Sequence, residues 1–205
     1  MNRLTKYAAA LLWLAGAPSV VAQDQFDQAT ALLKDGSLPE AYRAFLALAE
    51  RGDAEAAYNI ALLSKKGIGQ PQNYRVSLFW AWTASLGGIE PGEMLAESLT
   101  GLMPESALSE VSLRLADALE TRLDAGDRPA ILQFARMQAE IAVPPDQTKA
   151  YIWYSVGAAI GLDGAHVAMR ETASKLSPLE LIDAQEQALE AFRNSVFSKV
   201  SAPES

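Results

Sequence analysis

Side-chain chemistry needs a nucleophile, a base or a metal set, and this sequence supplies few of them. It holds one histidine, His166, and no cysteine. Transition-metal sites and Cys-His or Ser-His constellations of the usual kinds have almost nothing to be built from. His166, placed just after a small-residue turn, reads as an incidental surface or packing residue. The run Gly67-Ile68-Gly69 is no phosphate loop, since no strand pattern precedes it and no Lys-Ser or Lys-Thr follows; it reads as a helix stop. Carboxylate pairs such as Glu50 with Asp53, or Glu186 with Glu190, have spacings compatible with acid–base work. With 25 Asp and Glu in the chain such pairs are inevitable on a helical surface, and they read as solvated faces. The residues predict no catalytic group, no cofactor and no metal.

What the sequence does repeat is a phrase around tryptophan. "QPQNYRVSLFWAWTASLGG" at residues 70–88 returns as "VPPDQTKAYIWYSVGAAIG" at 143–161, so that Pro71 superposes on Pro144, Asn73 on Asp146, Trp80 on Trp153 and Gly88 on Gly161. Proline bars the preceding helix from running on, and Asn73 or Asp146 can accept hydrogen bonds from the free amides of the next first turn. A small residue follows four positions later (Ser77, Ala150) and the indole after seven, all on one helical face. Beyond each indole come small residues, Ala84 and Ser85 or Gly157 and Ala158, which let two helix axes approach closely. Trp80 and Trp153 are thus expected in the core. Trp82 is about 200° around the helix from Trp80, so it either packs on an extra helix after Gly92 or forms part of an exposed binding patch.

The rest of the chain from Phe26 has the same grammar of three-to-four residue apolar spacing stopped by Gly or Pro. Ala29, Leu32 and Leu33 form one face before Gly36. Ser37 to Glu40 predicts a capping box that starts a helix through Tyr42, Phe45, Leu46 and Leu48. Asp53 is the expected cap of a helix carrying Ala57, Ile60, Ala61 and Ser64. Pro104 opens a long helix with Leu108, Val111, Leu115 and Leu119. Pro178 opens its counterpart, capped by Ser177 with Glu180 in the first turn; Leu181, Ile182, Leu189, Phe192 and Val196 are expected to cover the end of the array. The duplicated unit is therefore a helix hairpin plus further helices, about twice the length of common helical-hairpin repeats. Sparse Val, Ile and Thr beside abundant Leu and Ala predict no sheet.

These residues resemble the Sel-1-like repeats, relatives of tetratricopeptide repeats. Tyr58, Gly67, Gly69, Trp80, Ala84 and Gly88 agree with the family phrase in one stretch, and Val143, Asp146, Lys149, Ala150, Trp153, Tyr154, Ala158, Gly161 and Ala165 in the other. Glu140 and Ala142 stand where the family prefers Gly, which predicts a less regular turn there. The resemblance implies an all-α fold, a short α/α solenoid of antiparallel helix hairpins with a long C-terminal capping helix. Its repeats fall at about 54–92 and 128–165, with a tetratricopeptide-like hairpin at about 26–52, in one domain over 23–199 followed by a disordered tail at 200–205. One helix pair cannot hide both apolar faces, so neighbouring pairs stack and share a core.

Related repeats bind along the face lined by the first helix of each pair. The resemblance therefore makes Asn59, Leu63, Lys66, Leu132 and Arg136 candidate contact positions, with Trp82 beside them. It implies a non-enzymatic adaptor or scaffold for a protein or peptide partner. The alternative is an envelope hydrolase, or a binder of cell-wall fragments or β-lactams; the relatives of that kind are cysteine-rich, and this chain has no cysteine.

The first 22 residues have another character. Arg3 and Lys6 precede an uncharged run, and Val20 and Ala22 occupy the small positions that a signal peptidase reads, which predicts a secretory signal peptide cleaved after Ala22. The run of about 16 residues is short for a membrane span, and no cysteine is present to accept a lipid. Removing Arg3 and Lys6 from the 17 Lys and Arg leaves 15 against 25 acids, a net charge of −10. Nucleic acid and anionic lipid head groups are repelled by such a surface. Export, absence of cysteine and absence of an Asn-x-Ser/Thr sequon together predict a periplasmic location.

Overall fold

The computed structural model of the protein describes residues 20–200, and among these every regular element is a helix. They run in chain order as α1 (Val20–Lys34), α2 (Leu38–Ala49), α3 (Ala54–Lys66), α4 (Tyr74–Leu86), α5 (Glu90–Thr100), α6 (Glu105–Asp124), α7 (Arg128–Glu140), α8 (Gln147–Ala159), α9 (Ala165–Ala173) and α10 (Pro178–Asn194), closed by a 3-10 turn at Val196–Val200. Most of the predicted signal segment, residues 1–19, lies outside the described residues, as do 201–205 of the expected tail.

Helices adjacent in sequence pack against each other in pairs: α1 on α2, α3 on α4, α7 on α8. The duplication is visible in three dimensions as α3–α6 followed by α7–α10. In each copy a hairpin is followed by a short helix and then a long one. The long α6 packs on both α4 and α7, so it ties the first copy to the second.

Local signals account for most boundaries. Side chains of Asp53, Asn73 and Asp146 accept from the amides of Ala56, Val76 and Lys149 at 2.9, 3.1 and 2.8 Å, each filling one of the donors that a first turn leaves open. Ser177 and Glu180 form the predicted reciprocal box. The box predicted at Ser37 does not form. Its ψ of 64° is not the extended value that aims a capping hydroxyl, and Glu40 instead pairs with Arg43 at 2.7 Å. The turn after α3 ends on left-handed Gly67. In the second copy α7 ends on Ile141 in a right-handed conformation, the less regular turn that Glu140 and Ala142 imply.

Burial follows the repeat. Ile131, Phe134 and Val156 of the second hairpin join Leu78, Ala81 and Leu99 of the first copy and Val111 and Leu115 of α6 in one cluster. Phe45, Leu48 and Ile60 form the core under α1–α3. Small residues permit the close crossings: a Cβ on Gly157 would lie 2.9 Å from Leu132 Cδ2, and one on Gly92 2.9 Å from the Ala84 Cβ.

Two packing expectations change. Trp80 and Trp153 are only partly buried, each bridging clusters at their margins, whereas Trp82 is 7% exposed. The reason is the extra helix α5, which covers the Trp82 side of α4. In α10 the buried stripe is Ala184 and Ala188, with Leu181 and Ala191 partly covered. Alanine permits a close approach to Tyr151 and Ile152 of α8, which rotates Ile182 and Leu189 to 55% and 50% exposure. Val196 is exposed as well, and of the expected apolar stripe only Leu181 and Phe192 contribute to packing.

Candidate functional site

The six predicted contact residues separate into four groups. Leu63 is packed under α2 and α3, and Leu132 is packed between two clusters against Gly157, so both side chains serve the core. Asn59 donates to its own helix, from Nδ2 to the Glu55 carbonyl at 2.9 Å. Lys66 stands exposed in the last turn of α3. Only Trp82 and Arg136 are brought together. They border one open groove of about 340 Å³ between α4, α5, α6 and the end of α7.

Why they meet follows from the helices. Trp82 projects from the side of α4 that α5 covers, and its remaining edge reaches the groove. Arg136 rides on α7 four residues before Glu140, so the two share a face, and its Nε donates to Glu140 Oε2 at 2.8 Å. The guanidinium also reaches across to the first copy. It lies 3.6 Å from Glu93 of α5 and donates to the Ser85 carbonyl at 3.4 Å. Burial alone would lower the Arg136 pKa; the hydrogen bond and charge of Glu140, with those of Glu93, outweigh it and hold the group above its ordinary value.

Sequence reasoning missed Glu93, Glu97 and Thr100, which line the groove from α5. Their spacing of four and then three residues places them on one helical face, a signal present in the sequence but silent without knowing that α5 abuts the α7 end. Counting the charged lining residues, three carboxylates face one guanidinium. Nearby, Tyr154 is buried and its pKa is pushed up to about 12, first by burial and then by the charge of Glu140, against the opposing charge of Arg136, with Glu171 adding to the rise.

Chemically this arrangement offers three carboxylates and one engaged guanidinium beside the edge of an indole. An arginine already engaged by two carboxylates and a carbonyl is a positioning element, and no group of three or more His, Cys, Asp or Glu able to hold a metal occurs among the described residues. No helix among them is long and apolar enough to cross a membrane.

No model of a known family matches the chain, and no curated protein matches it. Among solved structures it is similar to the protective antigen c5321 of uropathogenic Escherichia coli, described as displaying an SLR fold. That likeness has 16% identity and a TM-score of 0.35, and covers 90% of this chain and 49% of that one. It is also similar to a Sel1 repeat protein from Oxalobacter formigenes, at 21% identity and a TM-score of 0.31, over 82% of this chain and 70% of that one. The chain thus spans about half the length of the first of these. Both are Sel1-like repeat structures, the family that the two Trp-centred phrases resemble.

Proposed function

We propose that the protein is a non-enzymatic periplasmic scaffold that binds a segment of a protein partner in the groove between α4, α5 and α7. The carrying observation is that Arg136 of the second copy closes on Glu93 and Ser85 of the first, so that a groove is framed by two copies jointly and exists only when they are stacked. Its lining suits a polar, net cationic segment: carboxylates outnumber the guanidinium, Arg136 is already neutralised, and the Trp82 edge offers an apolar contact. Arginine and tryptophan are the residue types that most often anchor such interfaces. Export rests on Arg3, Lys6 and the apolar run after them.

The test is site-directed photo-crosslinking in intact cells. A photoreactive residue at Glu97 is expected to give a discrete crosslinked species, lost on Arg136→Glu, while the same residue at Lys66 gives none. Crosslinking that is equal from both positions and unaffected by Arg136→Glu overturns the groove. Fractionation checks export, with a mature N-terminus at Gln23 in the periplasmic fraction as the expected result.

A further inference from the structure

A second groove, open and of about 710 Å³, runs along α6 toward the junction of α9 with α10. α6 turns Ser112, Ala116 and Glu120 to it, three positions four residues apart and so on one helical face. Both grooves are bordered by Ala142 and Val143, so this one meets the groove of Trp82 and Arg136 at the α7–α8 turn.

Gln138 borders this second groove and is only 6% exposed. Its side-chain amide has no hydrogen-bond partner among the described residues, and the one sealed, unpartnered side-chain atom among them is Gln147 Oε1. The Gln138 amide is therefore neither bonded nor sealed: the small exposed part of this residue includes its polar end. On the same wall, Gln147 spends its Nε2 on the Ala139 carbonyl at 2.9 Å, which leaves Oε1 short of a donor. Both glutamines border the groove, but Gln147 Oε1 is sealed, so the amide open to a ligand there is that of Gln138.

A primary amide offers two N–H donors and one acceptor oxygen, and covering it without partners costs about 1–3 kcal/mol. An apolar ligand would impose that cost. An anion would meet Asp117, Glu120, Asp146 and Glu180 in the lining against Lys149 and Lys175, with Lys149 already paired to Glu120 at 3.2 Å. What matches a donor and an acceptor together is another amide, and an extended main chain presents one per residue. We infer that the second groove binds an extended segment by its main chain, with the Gln138 amide pairing to one of its peptide groups. The inference rests on the reading that the partner is a protein segment, and continues that segment past the α7–α8 turn.

The probe is a blocked tetra-alanine, acetylated and N-methylamidated at its ends, titrated into isotope-labelled protein while the side-chain amide signals of Gln138 are followed by NMR. Saturable movement of those signals is expected. The same peptide with its backbone nitrogens methylated is expected to bind about tenfold more weakly, the loss of one to two hydrogen bonds, and Gln138→Leu should lose affinity for the unmethylated peptide by a similar factor. Unmoved Gln138 signals, or equal movement with the methylated peptide, overturn the inference and leave a groove filled by water only. The methylated control is run on the unaltered protein, so a poorly folding Gln138→Leu leaves the test intact. A silent Gln138 alongside intact crosslinking from Glu97 removes this inference alone; loss of both removes the functional reading as well.

Discussion

Arg136 on α7 and Glu93 on α5 are 43 residues apart in sequence and 3.6 Å apart between Nη2 and Oε2, a contact between the two copies of a duplicated unit. Their side chains keep 35% and 53% exposure, so solvent screens the pair. A double-mutant cycle of Arg136→Ala and Glu93→Gln should therefore return a coupling of about 0–1 kcal/mol in urea unfolding. A coupling well above that range would mean the groove is far less hydrated than its open form implies.

Alkaline conditions should expose the burial of Tyr154. Its folded pKa is raised to about 12 from an ordinary value of 10.0, so the unfolded chain loses this proton first. Its contribution is fully present below about pH 10 and is lost as pH rises toward the folded value, at roughly 1.4 kcal/mol per pH unit while only the unfolded form is ionised. Tyr42, also raised by burial against the opposing hydrogen bond to Ser64, acts in the same direction. Urea midpoints between pH 9 and 11 should fall more steeply for the unaltered protein than for Tyr154→Phe; parallel slopes would contradict the assignment.

Two glycines with similar φ separate backbone strain from crowding. Gly161 has φ +74° with nothing near its absent Cβ, while at Gly69, φ +76°, a Cβ would sit 2.5 Å from the Leu38 carbonyl oxygen. Gly161→Ala should cost only the left-handed penalty of roughly 1–2 kcal/mol. Gly69→Ala must in addition move α2 away from the turn, and thermal unfolding should show the larger loss there.

The two Ser-Glu motifs make a matched pair. Ser177→Ala removes a working cap and should cost about 1 kcal/mol, whereas Ser37→Ala, where no cap hydrogen bond forms, should stay within about 0.5 kcal/mol. Equal losses in denaturant unfolding would show that Ser37 caps α2 after all.

Neighbouring positions on α3 divide core from surface. Leu63→Ala should cost roughly 2–5 kcal/mol through the cavity it leaves. Lys66→Glu should change the unfolding midpoint by an amount within about 0.5 kcal/mol, and leave crosslinking from Glu97 untouched.

Local chemistry was legible wherever one residue decides the outcome alone. Asp53, Asn73, Asp146 and Ser177 cap helices because a short side-chain oxygen beside free first-turn amides needs no distant partner, and the offset between Trp80 and Trp153 carried the duplication into the order of helices α3–α6 and α7–α10. Periodicity also identified the buried faces of α3 and α6, since a helix commits its side chains to directions that spacing alone sets. What spacing leaves open is the neighbour. α5 decided that Trp82 would be covered and Trp80 left partly in water, the alanines of α10 decided that Ile182 and Leu189 would face outward, and the stacking of one copy on the other brought Arg136 to Glu93. Each of these depends on how close two helices come and at what rotation they meet, which is a property of a pair of surfaces and is written in neither strand of residues by itself.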